Sequence, residues 1–219
     1  MPAARSIRLA SALAVLAVVL AAASTASAAQ GVAADWILSA LARPAPVRTD
    51  FVELRGSPLL KAPLRLSGEY RRPDADTLVR EVRSPYRETT TLRAGEATIA
   101  RDGKAPRTFS LSRVPELAGL QSSFGALLAG DRIGIERSYA VTAAGSRERW
   151  TLTLAPKDKA LATRVRDIVL YGQGAELRCI ETRPAKGDLQ RTLLASAALA
   201  AKPGSDTKTL EALCRTGVR

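Results

Sequence analysis

The chain has 219 residues, a formal charge of +12, two cysteines and no histidine. The missing histidine excludes Ser-His-Asp and Cys-His nucleophilic sites and every metal site that needs a histidine ligand. The 33 basic residues are scattered singly or in pairs, with only 3 Phe, 2 Trp and 4 Tyr, a pattern that argues against a clustered nucleic-acid-binding stripe. A diffuse positive charge suits anionic lipid surfaces or acidic partners, and an arginine-rich solvated surface is the alternative.

Residues 1–29 have the three parts of a secretory signal peptide. Arg5 and Arg8 precede an apolar run over residues 9–23, which ends in the small residues Ala26-Ser27-Ala28. We therefore predict cleavage and export of residues 30–219 as a single domain, with no cysteine at its start to carry a lipid anchor. An uncleaved N-terminal anchor is the alternative.

The first predicted elements of the mature chain are a helix and a strand pair. Residues 35–42 form an apolar helix that Asp35 is expected to cap. Residues 51–73 follow as two strands. In the second, Leu64, Leu66, Gly68 and Tyr70 alternate with polar residues, and in the first, Val52 and Leu54 oppose Phe51, Glu53 and Arg55. This period of two predicts an antiparallel sheet with one buried and one solvent-exposed face.

Further short strands and two helices complete the predicted order. Strands are predicted over residues 77–83, 86–93, 96–101 and 108–112, and then over 135–142, 148–154, 165–171, 176–182 and 189–195. Between these two groups lies an apolar helical face, formed by Leu117, Leu120, Phe124, Leu127 and Leu128. It either lids a cavity or simply covers the sheet. A tail helix is predicted over residues 206–215. The fold class is therefore α+β, built on a curved antiparallel sheet.

The sequence carries no recognisable catalytic, cofactor-binding or metal-binding pattern. Nucleotide-binding glycine motifs are absent, and Asp74 and Asp76 lie in a Pro-Asp-Ala-Asp turn without the further oxygen ligands that calcium requires. We expect no enzyme activity, no cofactor and no metal.

Short motifs, in order, resemble those of the outer-membrane lipoprotein carrier (LolA-like) family of the Gram-negative periplasm. They are the Phe51 strand, the Gly-x-aromatic-basic-Arg-Pro strand end at residues 68–73 and Leu-x-Pro-Lys at residues 154–157. The run at residues 57–64 is similar to a divergent branch of the family, and the resemblance covers residues 35–200. Glu53 replaces the family's usual glutamine, and Asp74-Ala75-Asp76 replaces an aromatic-bearing segment.

This resemblance implies an unclosed half β-barrel with helices as a lid over a hydrophobic cavity that holds acyl chains in transit. Arg72 matches the family arginine that latches the lid, with an exposed strand-end arginine as the alternative. The implied cavity and lid residues are Phe51, Leu64, Leu66, Tyr70, Leu117, Leu120, Phe124, Leu127, Leu128, Trp150 and Leu152. The implied partners are an acylated lipoprotein or other lipid cargo, an inner-membrane donor and an outer-membrane acceptor, with no nucleic acid, and the protein is expected to be a monomer.

Cys179 and Cys214 are the cysteines of the exported segment. In an oxidising periplasm an even number of cysteines favours a disulfide, which would fasten the tail to a strand. A redox pair is the alternative, although the long separation differs from Cys-x-x-Cys.

Two functions of different classes remain open from the sequence. The first is a periplasmic carrier that shields acyl chains beneath a movable lid. The second is an interaction or structural module with a filled core and a basic surface.

Overall fold

The computed structural model describes residues 31–56, 62–111, 126–127 and 130–216, within one compact unit, Gly31–Arg219. The strands are β1 Val47–Arg55, β2 Leu64–Arg72, β3 Leu78–Ser84, β4 Glu88–Arg93, β5 Glu96–Arg101, β6 Arg107–Ser110, β7 Tyr139–Gly145, β8 Trp150–Pro156, β9 Val165–Gln173, β10 Glu176–Pro184 and β11 Gln190–Leu194. The helices are α1 Ala34–Leu41, α2 Arg132–Ser138, α3 Lys159–Ala162, α4 Ala195–Ala200 and α5 Thr207–Arg215.

All eleven strands belong to one antiparallel sheet. Its order is β6-β5-β4-β3-β2-β1-β11-β10-β9-β8-β7, so most neighbours in space are also neighbours in sequence, as hairpin connections require. The exception is the pairing of β1 with β11, where Phe51 lies opposite Leu194. In the described part of the chain β6 and β7 form the two ends and do not pair, which confirms the predicted α+β fold with an unclosed sheet.

Helices cover both faces of the sheet. The inner face is the one against which α1 packs, and its buried side chains include Leu152 and Leu170. The outer face carries Val52, Leu193 and the neighbours that pack against α4 and α5. Because successive side chains of a strand point in opposite directions, Phe51 belongs to the inner face and Val52 to the outer one.

One half of the inner face is filled. Ile37, Leu38 and Leu41 of α1 pack in one buried cluster with Trp150 and Leu152. Burial of each such side chain contributes on the order of 1.5–3 kcal/mol. This cluster packs α1 against β7, β8 and β10, in the half of the sheet that ends at β7.

Two glycines permit close contacts between neighbouring strands. A Cβ at Gly68 would overlap the carbonyl oxygen of Glu81, and a Cβ at Gly172 would overlap the ring of Trp150. Both positions therefore require glycine, because a side chain would not fit into the space there.

Several predictions about the elements are wrong. Residues 135–138 are helical, not extended, because α2 begins after Asp131, whose side chain accepts a hydrogen bond from the Gly134 amide. Asp35 does not cap α1: the N-cap is Ala33, and Asp35 lies in the first turn. The short helix α4 was not predicted.

The prediction that one face of β1 is exposed to solvent is also wrong near the end of the strand. Phe51, Val52, Glu53 and Leu54 are all buried, because α4 and α5 cover the outer face there. The predicted apolar helix beginning at residue 115 lies outside the described residues, except for Ala126 and Leu127.

Candidate functional site

A cavity of about 410 Å³ lies on the inner face, beside the C-terminal end of α1. Apolar side chains from several elements line it, and arginines lie at its margin. The lining residues are Leu41, Arg43, Val47, Thr49, Tyr70, Arg71, Arg72, Leu78, Leu127, Gln173, Ala175, Glu176, Leu177, Leu194 and Ala195. The volume and the mainly apolar lining are typical of a site for a small hydrophobic ligand.

Two arginines connect the end of α1 to the sheet on both sides of this cavity. Arg72 Nη1, at the end of β2, donates to the Arg43 carbonyl oxygen at 3.0 Å. Arg43 Nη2 donates to the Ala175 carbonyl oxygen, in the β9–β10 turn, at 2.9 Å. We call these two contacts the arginine bridge. They link β2, the residue after α1 and the β9–β10 turn in one chain of hydrogen bonds.

The Arg43 side chain also satisfies the end of its own helix. Its Nη1 donates to the carbonyl oxygens of Ala40 and Ala42 at 2.8 and 2.9 Å. Carbonyl groups at a helix C-terminus lack partners within the helix, so this guanidinium both caps α1 and fastens it to the turn.

The N-terminal part of α1 is held by charged side chains. Arg132 Nη1 of α2 contacts Asp35 Oδ2 at 2.5 Å, and the Arg147 guanidinium lies 5.3 Å from the centre of the Trp36 ring. Both contacts are exposed to solvent, which screens the charges, so they contribute little to the free energy of folding.

Beyond the cavity, the inner face becomes polar. The Tyr70 ring lies 4.8 Å from that of Phe51, and the Arg80 guanidinium lies 4.9 Å from the Phe51 ring centre. Arg80 also contacts Glu53 Oε2 at 2.9 Å, while Arg55 contacts Glu53 Oε1 at 2.7 Å. Glu53 is 1% exposed, and its two arginine partners compensate its burial.

The Tyr70 hydroxyl belongs to this polar group. Burial raises the pKa of Tyr70, the Glu53 charge raises it further, and the opposing charge of Arg80 does not cancel these effects. The phenol is therefore neutral at physiological pH.

The structure distributes the predicted site residues among three places. Tyr70, Leu127 and Arg72 line the cavity. Phe51, Leu64 and Leu66 lie in the adjoining cluster, together with Val82 of β3 and Leu194 of β11, whereas Trp150 and Leu152 lie in the packed core under α1. Leu117, Leu120, Phe124 and Leu128 lie outside the described residues.

Several residues that line the cavity were not predicted from the sequence. Arg43 is the most consequential, because it forms the centre of the arginine bridge. Only its position after a predicted helix and before Pro44 marked it, and that position carries no information about Ala175, which is 132 residues away.

The outer face carries the predicted disulfide, Cys179–Cys214, with a Cα–Cα distance of 5.1 Å. Beside it, Glu181 is fully buried and accepts hydrogen bonds from Arg191 Nε at 2.8 Å and Arg215 Nη2 at 3.1 Å. Burial raises the pKa of Glu181, but the hydrogen bonds from Arg215 and Arg191 outweigh it and hold the pKa below its usual value. The disulfide and this ion-pair group fasten α5 to the sheet, on the face opposite the cavity.

The described residues contain neither a helix suited to spanning a membrane nor a cluster of metal ligands. No helix among them is long and apolar enough to cross a bilayer, and none of their His, Cys, Asp or Glu side chains form a group of three suited to a metal ion. The Asp74 carboxylate instead accepts bonds within its own turn, from the Asp76 amide and the Thr77 hydroxyl.

Comparison with known proteins gives one extensive sequence match. Residues 26–217 match the family model of the outer membrane lipoprotein carrier protein LolA-like. Among solved structures, the chain is similar to the LolA superfamily protein NE2245 from Nitrosomonas europaea, with 12% identity, coverage of 75% of this chain and 92% of that chain, and a TM-score of 0.39. No curated protein matches the sequence.

Proposed function

Since the chain belongs to the outer membrane lipoprotein carrier LolA-like family, we propose that it is a periplasmic carrier. In this role it shields the acyl chains of lipoproteins, or of another lipid-linked product, during delivery to the outer membrane. The observation that carries the proposal is the cavity of about 410 Å³ on the inner face, lined by Leu41, Leu78, Leu177 and Leu194.

The physical need for such a cavity is direct. Each CH₂ group left in water costs about 0.8 kcal/mol, so a long acyl chain does not cross an aqueous compartment unprotected. An apolar cavity beside a helix that can move away from the sheet provides shelter and an exit.

In this proposal α1 is part of the lid and the arginine bridge is its latch. Arg72 holds the backbone just after α1, and Arg43 holds the β9–β10 turn, so both contacts must break before the C-terminal end of α1 moves away from the cavity. Each bond has a charged guanidinium as donor and a neutral carbonyl oxygen as acceptor, and its exposure to solvent keeps its contribution to about 1 kcal/mol. Opening also exposes Leu41, which is buried in the closed state, so the arginine bridge and the packing of Leu41 together favour closure.

The carrier works as a monomer after removal of residues 1–29 and export. It receives cargo from an inner-membrane donor and passes it to an outer-membrane acceptor. The oxidising periplasm is consistent with the disulfide Cys179–Cys214.

Native mass spectrometry of the mature protein purified from the periplasm, followed by lipid extraction, tests the proposal. A bound acylated species is expected, and its mass would identify the cargo class. A protein that is empty and also fails to take up a fluorescent fatty-acyl probe would contradict the carrier function and favour an interaction module.

A further inference from the structure

We infer that the cargo of this cavity is a single-chain amphiphile with an anionic group, and that Arg43 and Arg72 bind this group. The inference rests on the proposed carrier function and specifies its ligand. It depends on the partners of the two arginines and on the size of the cavity.

Arg43 and Arg72 differ from the other arginines near the cavity in having no acidic partner. Within the described ranges, neither forms a salt bridge, and both guanidinium groups donate hydrogen bonds to neutral carbonyl oxygens. The second bond of Arg72, from Nη2 to the Ala75 carbonyl oxygen, is long at 3.5 Å. Glu176 also lines the cavity, but its carboxylate contacts Arg178 Nε at 3.7 Å and accepts a hydrogen bond from the Ser196 hydroxyl. The two permanent positive charges of Arg43 and Arg72 therefore have no acidic partner among the described residues.

The neighbouring arginines are neutralised. Arg71 contacts Glu81 Oε2 at 3.2 Å, and Arg80 contacts Glu53 Oε2 at 2.9 Å. The contrast indicates that the charges of Arg43 and Arg72 serve a ligand that the protein does not itself supply.

A carboxylate or phosphate group competes well with a carbonyl oxygen for a guanidinium. A guanidinium and a carboxylate or phosphate attract each other as opposite charges and often form two parallel hydrogen bonds, which a single neutral carbonyl oxygen does not offer. An anionic group at the cavity margin would therefore take donors away from the Arg43 and Ala175 carbonyl oxygens. Cargo binding would weaken the arginine bridge, and cargo release would restore it.

The cavity volume limits the apolar part of this ligand. An apolar cavity of about 150 Å³ holds one six-carbon benzene molecule. On that scale, the 410 Å³ of this cavity accommodates roughly 16 carbon atoms, which corresponds to one acyl chain. The ligand class is therefore one chain with one anionic group.

The test compares dodecyl probes that share one chain and differ in the head. Dodecanoate, dodecyl phosphate and dodecanol are titrated into the mature protein, and displacement of a fluorescent alkyl probe gives each affinity. We expect both anions to bind at least about tenfold more tightly than dodecanol, with a preference that decreases as salt rises. The better anion identifies a carboxylate or a phosphate ligand, and inorganic phosphate alone tests whether the chain is required.

Variants assign the preference to the two arginines. Arg43→Gln/Arg72→Gln is expected to abolish the preference, so that dodecanoate, dodecyl phosphate and dodecanol bind this variant with equal affinity. Arg72→Lys, which keeps the charge, should retain the preference, and Arg48→Gln, at an exposed position of β1, is the matched control. Circular dichroism checks that each variant is folded, and the probe comparison in the wild-type protein stands even if the double variant does not fold.

The possible failures are distinct. Equal binding of dodecanoate, dodecyl phosphate and dodecanol would overturn the anionic-ligand inference and leave the carrier function intact. Binding of none of the dodecyl probes would contradict the carrier function itself. A preference for anions that survives the double substitution would overturn the assignment to Arg43 and Arg72.

Discussion

Among single residues, Arg72 has the most direct expected effect on α1. Arg72→Leu removes the bond to the Arg43 carbonyl oxygen, so local opening should become easier by about 1 kcal/mol. The Ala42 amide, which bonds to the Leu38 carbonyl oxygen at 3.0 Å, reports this opening. We expect its hydrogen exchange to accelerate about fivefold, as measured by mass spectrometry.

Arg48→Leu controls for the general loss of an arginine from the sheet and should leave Ala42 exchange unchanged. Unaltered exchange at Ala42 in Arg72→Leu would show that the arginine bridge does not hold α1.

Glu181 gives a prediction about acid stability. Its pKa is lowered in the folded protein, so its stabilising contribution is complete above the ordinary glutamate pKa of about 4.3. The contribution is lost as the pH falls from there through the folded-state pKa. Urea unfolding should therefore show a steeper acid loss of stability in the wild-type protein than in Glu181→Gln.

At neutral pH, Glu181→Gln should itself lower the free energy of unfolding by about 3 kcal/mol, because Arg191 loses its buried partner. Glu96→Gln, at an exposed position of β5, should match the wild-type protein at each pH. An identical acid slope in Glu181→Gln and the wild type would refute the assigned role of Glu181.

Residues of the candidate site differ in how far their role can be predicted from the sequence. Arg72 was singled out because it belongs to a short motif, and it lines the cavity. Arg43 has no such motif, and its partners, Arg72 and Ala175, are distant in the chain. A hydrogen bond between a side chain and a remote carbonyl oxygen leaves no periodic signal in either segment.

Among the elements, α5 and its disulfide carry a prediction about stability. The two cysteines are separated by 35 residues, and in the chain-entropy model a crosslink of this size stabilises by about 3 to 4 kcal/mol. Cys179→Ser/Cys214→Ser should lower the free energy of unfolding by this amount in urea. Since α5 packs on the outer face, dodecanoate affinity under native conditions should remain unchanged. Loss of binding in a folded double variant would contradict this separation of the two faces.

Strands were predictable because alternation and turn residues mark them locally. Residues 135–138 were predicted to be extended, but they are helical. The prediction failed because Ile135 and Tyr139 are compatible both with the two-residue period of a strand and with the 3.6-residue period of a helix. Helix α4 is missed for a similar reason, since its alanines follow β11 without a proline or glycine between them. Burial of both faces of β1 depends on α4 and α5, which pack there only in the folded chain.

For the whole molecule, we expect ligand binding to change hydrogen exchange on the inner face of the sheet but not on the outer face. If an anionic ligand weakens the arginine bridge, added dodecanoate should accelerate hydrogen exchange at Ala42 next to the cavity. The Leu210 amide of α5, which bonds to the Asp206 carbonyl oxygen, should exchange at an unchanged rate. Slower exchange at Ala42 would show that the ligand closes α1 onto the sheet instead.

The unclosed sheet was expected from the family resemblance, and strand alternation alone indicated only an antiparallel sheet. The position of the cavity was predicted only in part, because Tyr70, Arg72 and Leu127 line it whereas Phe51, Trp150 and Leu152 do not. The cavity lies where α1 ends. Which parts of the inner face are filled and which stay open depends on the side chains that α1 places there.

The acceptors of the arginine bridge are main-chain oxygens, which every amino acid provides. Substitutions along α1 therefore leave the Arg43 carbonyl available to Arg72 as long as the helix ends in the same place. Related proteins can exchange the apolar side chains that face the cargo without losing the closing contact. Cargo preference and closure are consequently free to evolve independently.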